Sequence, residues 1–156
     1  MSHITVHQAT IFDLERLVPL FDAYRQFYQC DSDPYAAREF LRSRLNHGEC
    51  ALFIALDDGE PVGFAQLYPS FSSITLKRTF SMNDLYVQSA ARRQGAALRL
   101  MSAAVDYASA IGAEKISLSI GLSNDAAQAL YSSTGWELDD QFQAYYFMVP
   151  EVINAS

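Results

Sequence analysis

The chain is predicted to fold as a mixed α/β domain, with a central sheet of about six or seven strands and helices on both faces. Three observations carry that expectation. Short segments of alternating polarity are interleaved with longer segments of helical periodicity. Asp57-Asp58-Gly59-Glu60 is a hairpin turn signal between two apolar runs. From Phe80 onward the order strand, loop, helix, strand implies a right-handed parallel crossover. The sequence has 156 residues, half of them hydrophobic. That suits one domain, residues 1–150, with a short tail over 151–156.

The elements follow in order. Ile4 to Gln8 alternates as a short strand. Thr10-x-x-Asp13 reads as a capping box opening a helix. Leu14, Leu17, Val18, Phe21, Tyr24 and Tyr28 then recur at helical spacing. Cys30 to Pro34 is a loop, and Asp33-Pro34 supplies an N-cap acid and a first-turn proline for a second helix. That helix turns Phe40, Leu41 and Leu45 inward and stops near Gly48. Ala51 to Leu56 and Pro61 to Tyr68 are strands, and Pro69 to Ile74 is a polar loop. Thr79 to Val87 is a longer strand expected at the sheet centre. A helix over Leu98 to Ile111 ends at Gly112. Ile116, Leu118 and Ile120 alternate as another strand, and Asn124 caps a helix to about Thr134. Trp136 to Leu138 and Phe142 to Val149 are expected to finish the sheet as a hairpin.

Composition narrows the function. The net charge of −7 makes nucleic acid a poor partner, since binding it requires a basic footprint. An acidic chain more naturally attracts a cationic substrate. No apolar run approaches the roughly 18 residues of a membrane span. The N-terminus lacks the pattern of a signal peptide. Cys30 and Cys50 make no disulfide framework and are expected reduced, in a cytoplasm. With His3, His7 and His47 they lack metal-ligand spacing, so no metal is expected.

The segment Arg92-Arg93-Gln94-Gly95-Ala96-Ala97 lies between the central strand and the following helix. It reads R-x-x-G-x-A, with small residues where a backbone bends tightly or approaches a ligand. A helix starting there directs unpaired N–H groups and its positive dipole end into the loop, an anion site suited to phosphate. The arginines add charge that grips phosphate oxygens. A nucleotide P-loop would need a Lys-Ser/Thr pair that is missing here. Only one of the three glycines of a dinucleotide fingerprint is present. By itself R-x-x-G-x-A also describes a basic, solvated helix start.

Two flanking segments add context: Asp84-Leu85-Tyr86-Val87 before the loop, and Asn124-x-x-Ala127-x-x-Leu130-Tyr131-x-x-x-Gly135-Trp136 after it. In this order and spacing the three motifs resemble the GNAT superfamily of acetyl-CoA-dependent N-acetyltransferases, over nearly the whole chain. The resemblance implies a GNAT-like fold and acetyl-CoA as co-substrate. The backbone N–H groups of Gln94 to Ala97 would bind its pyrophosphate, with Arg92 and Arg93 adding charge. Leu85, Tyr86 and Val87 would present the strand edge to the pantetheine arm, the Val87 N–H facing the thioester carbonyl. Asn124 would lie near the pantetheine, or serve only as a helix cap. Tyr131 would be the general acid for the departing thiolate; read alone, it is a helix tyrosine packed on Trp136.

Diamine acetyltransferases of this superfamily, which the chain partly resembles, carry an acidic pair just before the L-x-V of this strand. Here the pair reads Asn83-Asp84, leaving Asp84 to order a water, bind a cationic amine, or serve as a structural acid. Alternation sets Asp84 on the face of Tyr86, opposite Leu85. Specificity is expected from the loop between the first two helices and the one after Tyr68. Candidates are Tyr24, Tyr28, Asp31, Asp33 and Tyr35, with Tyr68, Ser70, Phe71, Ser72 and Ser73. The expected activity is acetyl transfer to a primary amine of a small molecule: a polyamine, amino sugar or amino acid derivative. A protein or peptide N-acetyltransferase and a non-catalytic acyl-CoA sensor are the alternatives. A homodimer through the aromatic closing segment is possible by the same resemblance.

Overall fold

A computed structural model describes residues 3–152. These residues fall into two compact units, one ending at Ser119 and the other starting at Ile120.

The first unit is a mixed sheet with helices on both faces. Its strands are β1 (Ile4–Gln8), β2 (Ala51–Asp57), β3 (Glu60–Ser72), β4 (Lys77–Val87) and β5 (Lys115–Ser117), in that spatial order. All neighbours are antiparallel except β4 and β5, which the crossover helix makes parallel. Its helices are α1 (Leu14–Phe27), α2 (Pro34–Asn46) and α3 (Ala96–Ala110). Local chemistry sets their boundaries. The Thr10–Asp13 capping box forms, with Asp13 Oδ2 accepting from the Thr10 N–H at 2.9 Å. Asp33 caps α2 by accepting from the Ala36 N–H at 3.0 Å, with Pro34 as the first helical residue. The hairpin turn places Asp58 and Gly59 at φ 49° and 86°, the left-handed pair that a tight two-residue connection needs.

Strand alternation divides the core. Leu52, Ile54 and Leu56 of β2 pack with Leu17, Leu20 and Phe21 of α1 and Leu41 of α2. On the opposite face Phe53 and Phe80 meet the Tyr107 ring of α3 at 5.7 and 5.8 Å. Leu41 is fully buried, at 0 % exposure, in the first of these layers. Leu41→Ala is therefore expected to cost about 2–5 kcal/mol through lost burial and the cavity left behind. A lower urea midpoint at unchanged slope would measure it.

Three expectations are corrected. Five strands form among the described residues, not six or seven. The missing ones are the hairpin expected over Trp136 to Val149, where no strand forms and Leu138, Phe142, Tyr145, Tyr146 and Phe147 are exposed. Alternation gives a segment strand character but no ladder partner. The backbone there turns locally instead, with Asp139 Oδ1 accepting from the Gln141 and Phe142 N–H groups. The last strand also stops at Ser117, short of Leu118 and Ile120. Finally, the polar segment after Tyr68 is strand, not loop. Pro69 to Ser72 continues β3 because Phe80, Thr79, Arg78 and Lys77 lie opposite, and the Arg78 guanidinium sits 4.5 Å from the Phe71 ring. Only the four residues between Ser72 and Lys77 make the connection.

The second unit holds α4 (Asp125–Ser133). Asn124 caps it, its side chain accepting from the Ala127 N–H at 3.1 Å. Residues 153–156, most of the expected tail, lie outside the described residues.

Candidate functional site

A cleft of about 490 Å³ opens on the α1–α2 face of β3 and β4. Phe21, Tyr24, Arg25, Tyr28 and Cys30 line it from α1 and the loop after it, and Ala36, Ala37 and Phe40 from α2. Tyr68, Asn83 and Asp84 line it from the sheet. The aromatic residues brace one another. Tyr24 meets Tyr28, Phe64 and Tyr86 at 5.2, 5.5 and 6.0 Å, and Phe21 stacks on Phe40 at 5.8 Å.

Asp84 is the carboxylate of this cleft, and it is 9 % exposed. Its Oδ2 accepts from Gln66 Nε2 at 2.6 Å, from the residue directly across the ladder. Gln66 Oε1 is buried with no hydrogen-bond partner. Burial raises the Asp84 pKa, and the hydrogen bond from Gln66, together with the nearby Tyr24 hydroxyl, opposes the rise without cancelling it. The surrounding acids are held neutral. Burial first, then the Asp84 charge, pushes the Tyr24 and Tyr68 hydroxyls above the usual phenol range. Burial also pushes the Cys50 thiol up to about 11, against the pull of Arg44.

The strand is irregular just before this acid. Gln66 faces Asp84 and Leu67 faces Met82, so Asn83 is an extra residue, a β-bulge. The Asn83 carbonyl accepts from the Tyr24 hydroxyl at 3.2 Å, tying the bulge to α1.

The open edge of β4 begins where β5 ends. Their pairing covers only Thr79 to Ser81. The Gln88 N–H donates to the Val62 carbonyl at 2.8 Å, which fixes the phase of the β3–β4 ladder. Gly63 and Val87 then face each other as a pair without mutual hydrogen bonds. The backbone N–H and C=O of Val87, and by alternation those of Leu85, therefore point away from β3 toward the edge that β5 does not reach. Arg92 Nε donates to the Val87 carbonyl at 3.0 Å. The Arg92 guanidinium, expected to add charge at the anion site, is thus partly committed to bracing the strand end.

The loop into α3 is held by left-handed residues, Arg93 at φ 67° and Gly95 at φ 85°. Gly95 is the N-cap of α3 and has no side chain to cap it. The first amide to find a helical acceptor is that of Arg99, on the Gly95 carbonyl at 3.0 Å, so the N–H groups ahead of it have none within the helix. A Cβ built on Gly95 would meet nothing within 4 Å, so the space beside this residue is open. Free amides, a dipole end, a nearby arginine and an open strand edge fit a pyrophosphate with an amide-bearing arm.

In the second unit, the Tyr131 ring lies edge-on to Trp136 at 5.5 Å. The helix-packing reading of Tyr131 and the cap reading of Asn124 both describe what is seen there.

Of the expected substrate residues, Tyr24, Tyr28 and Tyr68 line the cleft with Asp84. Asp31, Asp33, Tyr35, Phe71 and Ser72 do not. Asp33 is committed to the α2 cap, Phe71 to Arg78, and Ser72 Oγ to the Thr75 N–H. Sequence reasoning missed Gln66, Arg25 and Asp22. Asp22 is buried and accepts from Gln26 Nε2, Ser32 Oγ and the Asp33 N–H at 3.0, 2.7 and 2.8 Å, folding the loop that walls the cleft. A polar residue inside an apolar run, Gln66 among Val62 to Leu67 or Asp22 after Phe21, was the available signal. No group of three or more His, Cys, Asp or Glu among the described residues could hold a metal, and none of their helices is long and apolar enough to cross a membrane.

Comparison with known proteins identifies the family and the fold. Residues 17–136 match the acetyltransferase (GNAT) family. The chain is 43 % identical over 147 residues to the uncharacterized N-acetyltransferase YhfO of Bacillus subtilis (strain 168), covering 94 % of this chain and 99 % of that protein. It superposes on the crystal structure of a probable acetyltransferase with a TM-score of 0.89 and 40 % identity, covering 95 % and 99 % of the two chains. The fold, at 20 % identity and a TM-score of 0.78, is also that of the aminoglycoside N-acetyltransferase AAC(6')-Iy in complex with CoA, over 96 % and 97 % of the chains.

Proposed function

Since this chain belongs to the GNAT family of acetyltransferases, and is thereby an acyl-CoA N-acyltransferase, we propose that it moves an acetyl group from acetyl-CoA to the primary amine of a small molecule held over Asp84. The observation that carries this reading is the cleft itself. Its volume is that of a small-ligand site, and it is walled by rings with one buried carboxylate. The match to a CoA-bound fold supports the choice of co-substrate.

When bound, acetyl-CoA supplies an acetyl group activated as a thioester. The chain's own groups do the rest. The amides of Gln94 to Ala97, with the Arg93 guanidinium, bind pyrophosphate oxygens. Arg92, anchored on the Val87 carbonyl, holds the loop against the strand. The Leu85 and Val87 backbone orients the pantetheine arm, and the Val87 N–H is the donor for the acetyl carbonyl oxygen. Asp84 attracts the ammonium and takes its proton, directly or through a water. The burial that raises its pKa makes its carboxylate a stronger base than an exposed aspartate. Overall the N–C bond forms as the C–S bond breaks, and the ammonium loses two protons, one to the CoA thiol and one to solvent.

Tyr131 is the proposed donor to the thiolate. A thiolate leaves readily at neutral pH, because a free thiol has a pKa of about 8.5. Tyr131→Phe is therefore expected to lower kcat only about tenfold, with KM for acetyl-CoA unchanged. A mutant at full rate would remove the role.

The reading is tested by thiol release from acetyl-CoA against polyamines, amino sugars, amino acids and lysine peptides. Release that requires one small amine supports it. Release with peptides alone would assign the site to a protein substrate. Binding of acetyl-CoA without turnover on any acceptor would favour a sensor.

A further inference from the structure

We infer that the acceptor is a zwitterion, an amine that carries a carboxylate on an apolar or aromatic body, with Asp84 receiving the ammonium and Arg25 the carboxylate. This rests on the amine-transfer reading of the same cleft and narrows it to the amino acid class.

The first observation is the state of Arg25. It lies in the last turn of α1, its carbonyl accepting from the Tyr28 and Cys30 N–H groups at 3.0 Å. Its half-buried side chain lines the cleft. Most other arginines are engaged. Arg16, Arg38, Arg42 and Arg44 pair with carboxylates, Arg78 lies over Phe71, and Arg92 and Arg99 donate to backbone carbonyls. Among the described residues Arg25 and Arg93 have no such partner. Arg93 belongs to the loop that binds phosphate in the proposed function. Arg25 is then the second open anion receptor, and it faces a different ligand. A guanidinium on a cleft wall without an acceptor is poised for a carboxylate, which it binds through two parallel hydrogen bonds.

The second observation is that both charges line one cleft without neutralising each other. Asp84 is held by Gln66, and no ion pair joins it to Arg25. A ligand with one charge of each sign satisfies both. A polyamine or aminoglycoside would bring a second ammonium toward Arg25, and like charges in a partly dry site repel strongly. The same cleft is walled by the rings of Phe21, Tyr24, Tyr28, Phe40 and Tyr68, which suit a hydrocarbon or aromatic body.

The test uses the full chain and three probes: L-phenylalanine, phenethylamine, which is the same amine without its carboxylate, and spermidine. Calorimetry with and without saturating CoA reads binding, and thiol release from acetyl-CoA reads transfer. L-phenylalanine is expected to bind at least about tenfold tighter than phenethylamine, the scale of a charge-assisted hydrogen-bonded pair. Spermidine should bind more weakly than both. Arg25→Gln should bring the two aromatic probes to equal affinity, and Arg25→Lys should restore part of the difference. Phenethylamine or spermidine binding as tightly as L-phenylalanine overturns the inference, as does a preference that survives in Arg25→Gln or the failure of all three probes to bind. Thiol release with spermidine but not with L-phenylalanine would overturn the acceptor class while leaving the transferase reading intact. Preferential binding of L-phenylalanine without thiol release from any acceptor would do the reverse.

Discussion

Asp84→Asn is expected to lower kcat/KM for the amine acceptor about 100-fold while making the protein more stable at neutral pH. The loss follows from removing the cleft's carboxylate, which both attracts the ammonium and takes its proton. Asparagine keeps the shape and can still accept from Gln66 Nε2, so packing is preserved. The gain in stability follows from the same burial. The folded-state pKa of Asp84 lies above that of the unfolded chain. Folding therefore favours its protonated form, and holding it ionised above the raised pKa costs stability. That cost is absent at pH below the ordinary aspartate value of about 3.9 and fully present above the raised one. Asparagine carries no such cost, so the mutant's advantage should be largest at neutral pH and shrink as pH falls. Tyr24, Tyr68 and Cys50, the titratable groups beside Asp84, are all pushed upward and stay neutral across this range. Melting temperatures of both proteins between pH 4 and pH 8 would measure it. An equal difference at both ends would show that Asp84 carries no burial penalty.

Gly95→Val is expected to lower kcat/KM for acetyl-CoA about 100-fold, chiefly through KM, for two separable reasons. The first is the backbone. Gly95 sits at φ 85°, where a β-branched residue is strained by roughly 1–3 kcal/mol, and relief of that strain would tilt the first turn of α3 and its amides. The second is space. A Cβ on Gly95 meets no protein atom within 4 Å, so the bulk of a valine would extend into open space beside the helix start, where the proposed phosphate binds. Gly95→Ala carries much of the strain with little of the bulk, and its KM should fall between wild type and Val. Acetyl-CoA titrations of the three proteins would separate the contributions. An unchanged KM in the Val variant would remove the loop at Arg92 to Ala97 from the binding site.

The sites differ in how far they could be read from sequence. Tyr24, Tyr28 and Tyr68 were named as aromatic faces beside carboxylates near two expected loops, and Asp84 from its place just before the L-x-V of its strand; all four line the cleft. The expected role for Asp31 came from its place in a loop; the loop's other acid, Asp33, serves as the α2 cap that Asp33-Pro34 already signalled. Phe71 and Ser72 were assigned to a loop on polarity. Polarity describes exposure, however, and a long hairpin projecting beyond its neighbours is exposed on both faces.

Sequence alone determined the family motifs, the acetyl-transfer class, and several features that close within about four residues: the Thr10–Asp13 box, the Asp33 and Asn124 caps, the Asp58-Gly59 turn and the bend at Gly95. Such features are legible because both partners of each bond lie in one short window. Tertiary structure decided what depends on register. The bulge at Asn83 shifts the pairing so that Gln66 faces Asp84 across 18 residues of chain. It also decided where β5 stops, which leaves the Leu85 and Val87 backbone at an open edge, and which arginine remains without a partner on the cleft wall. No local pattern encodes these, because each is set by which distant groups compete for the same hydrogen bond or charge.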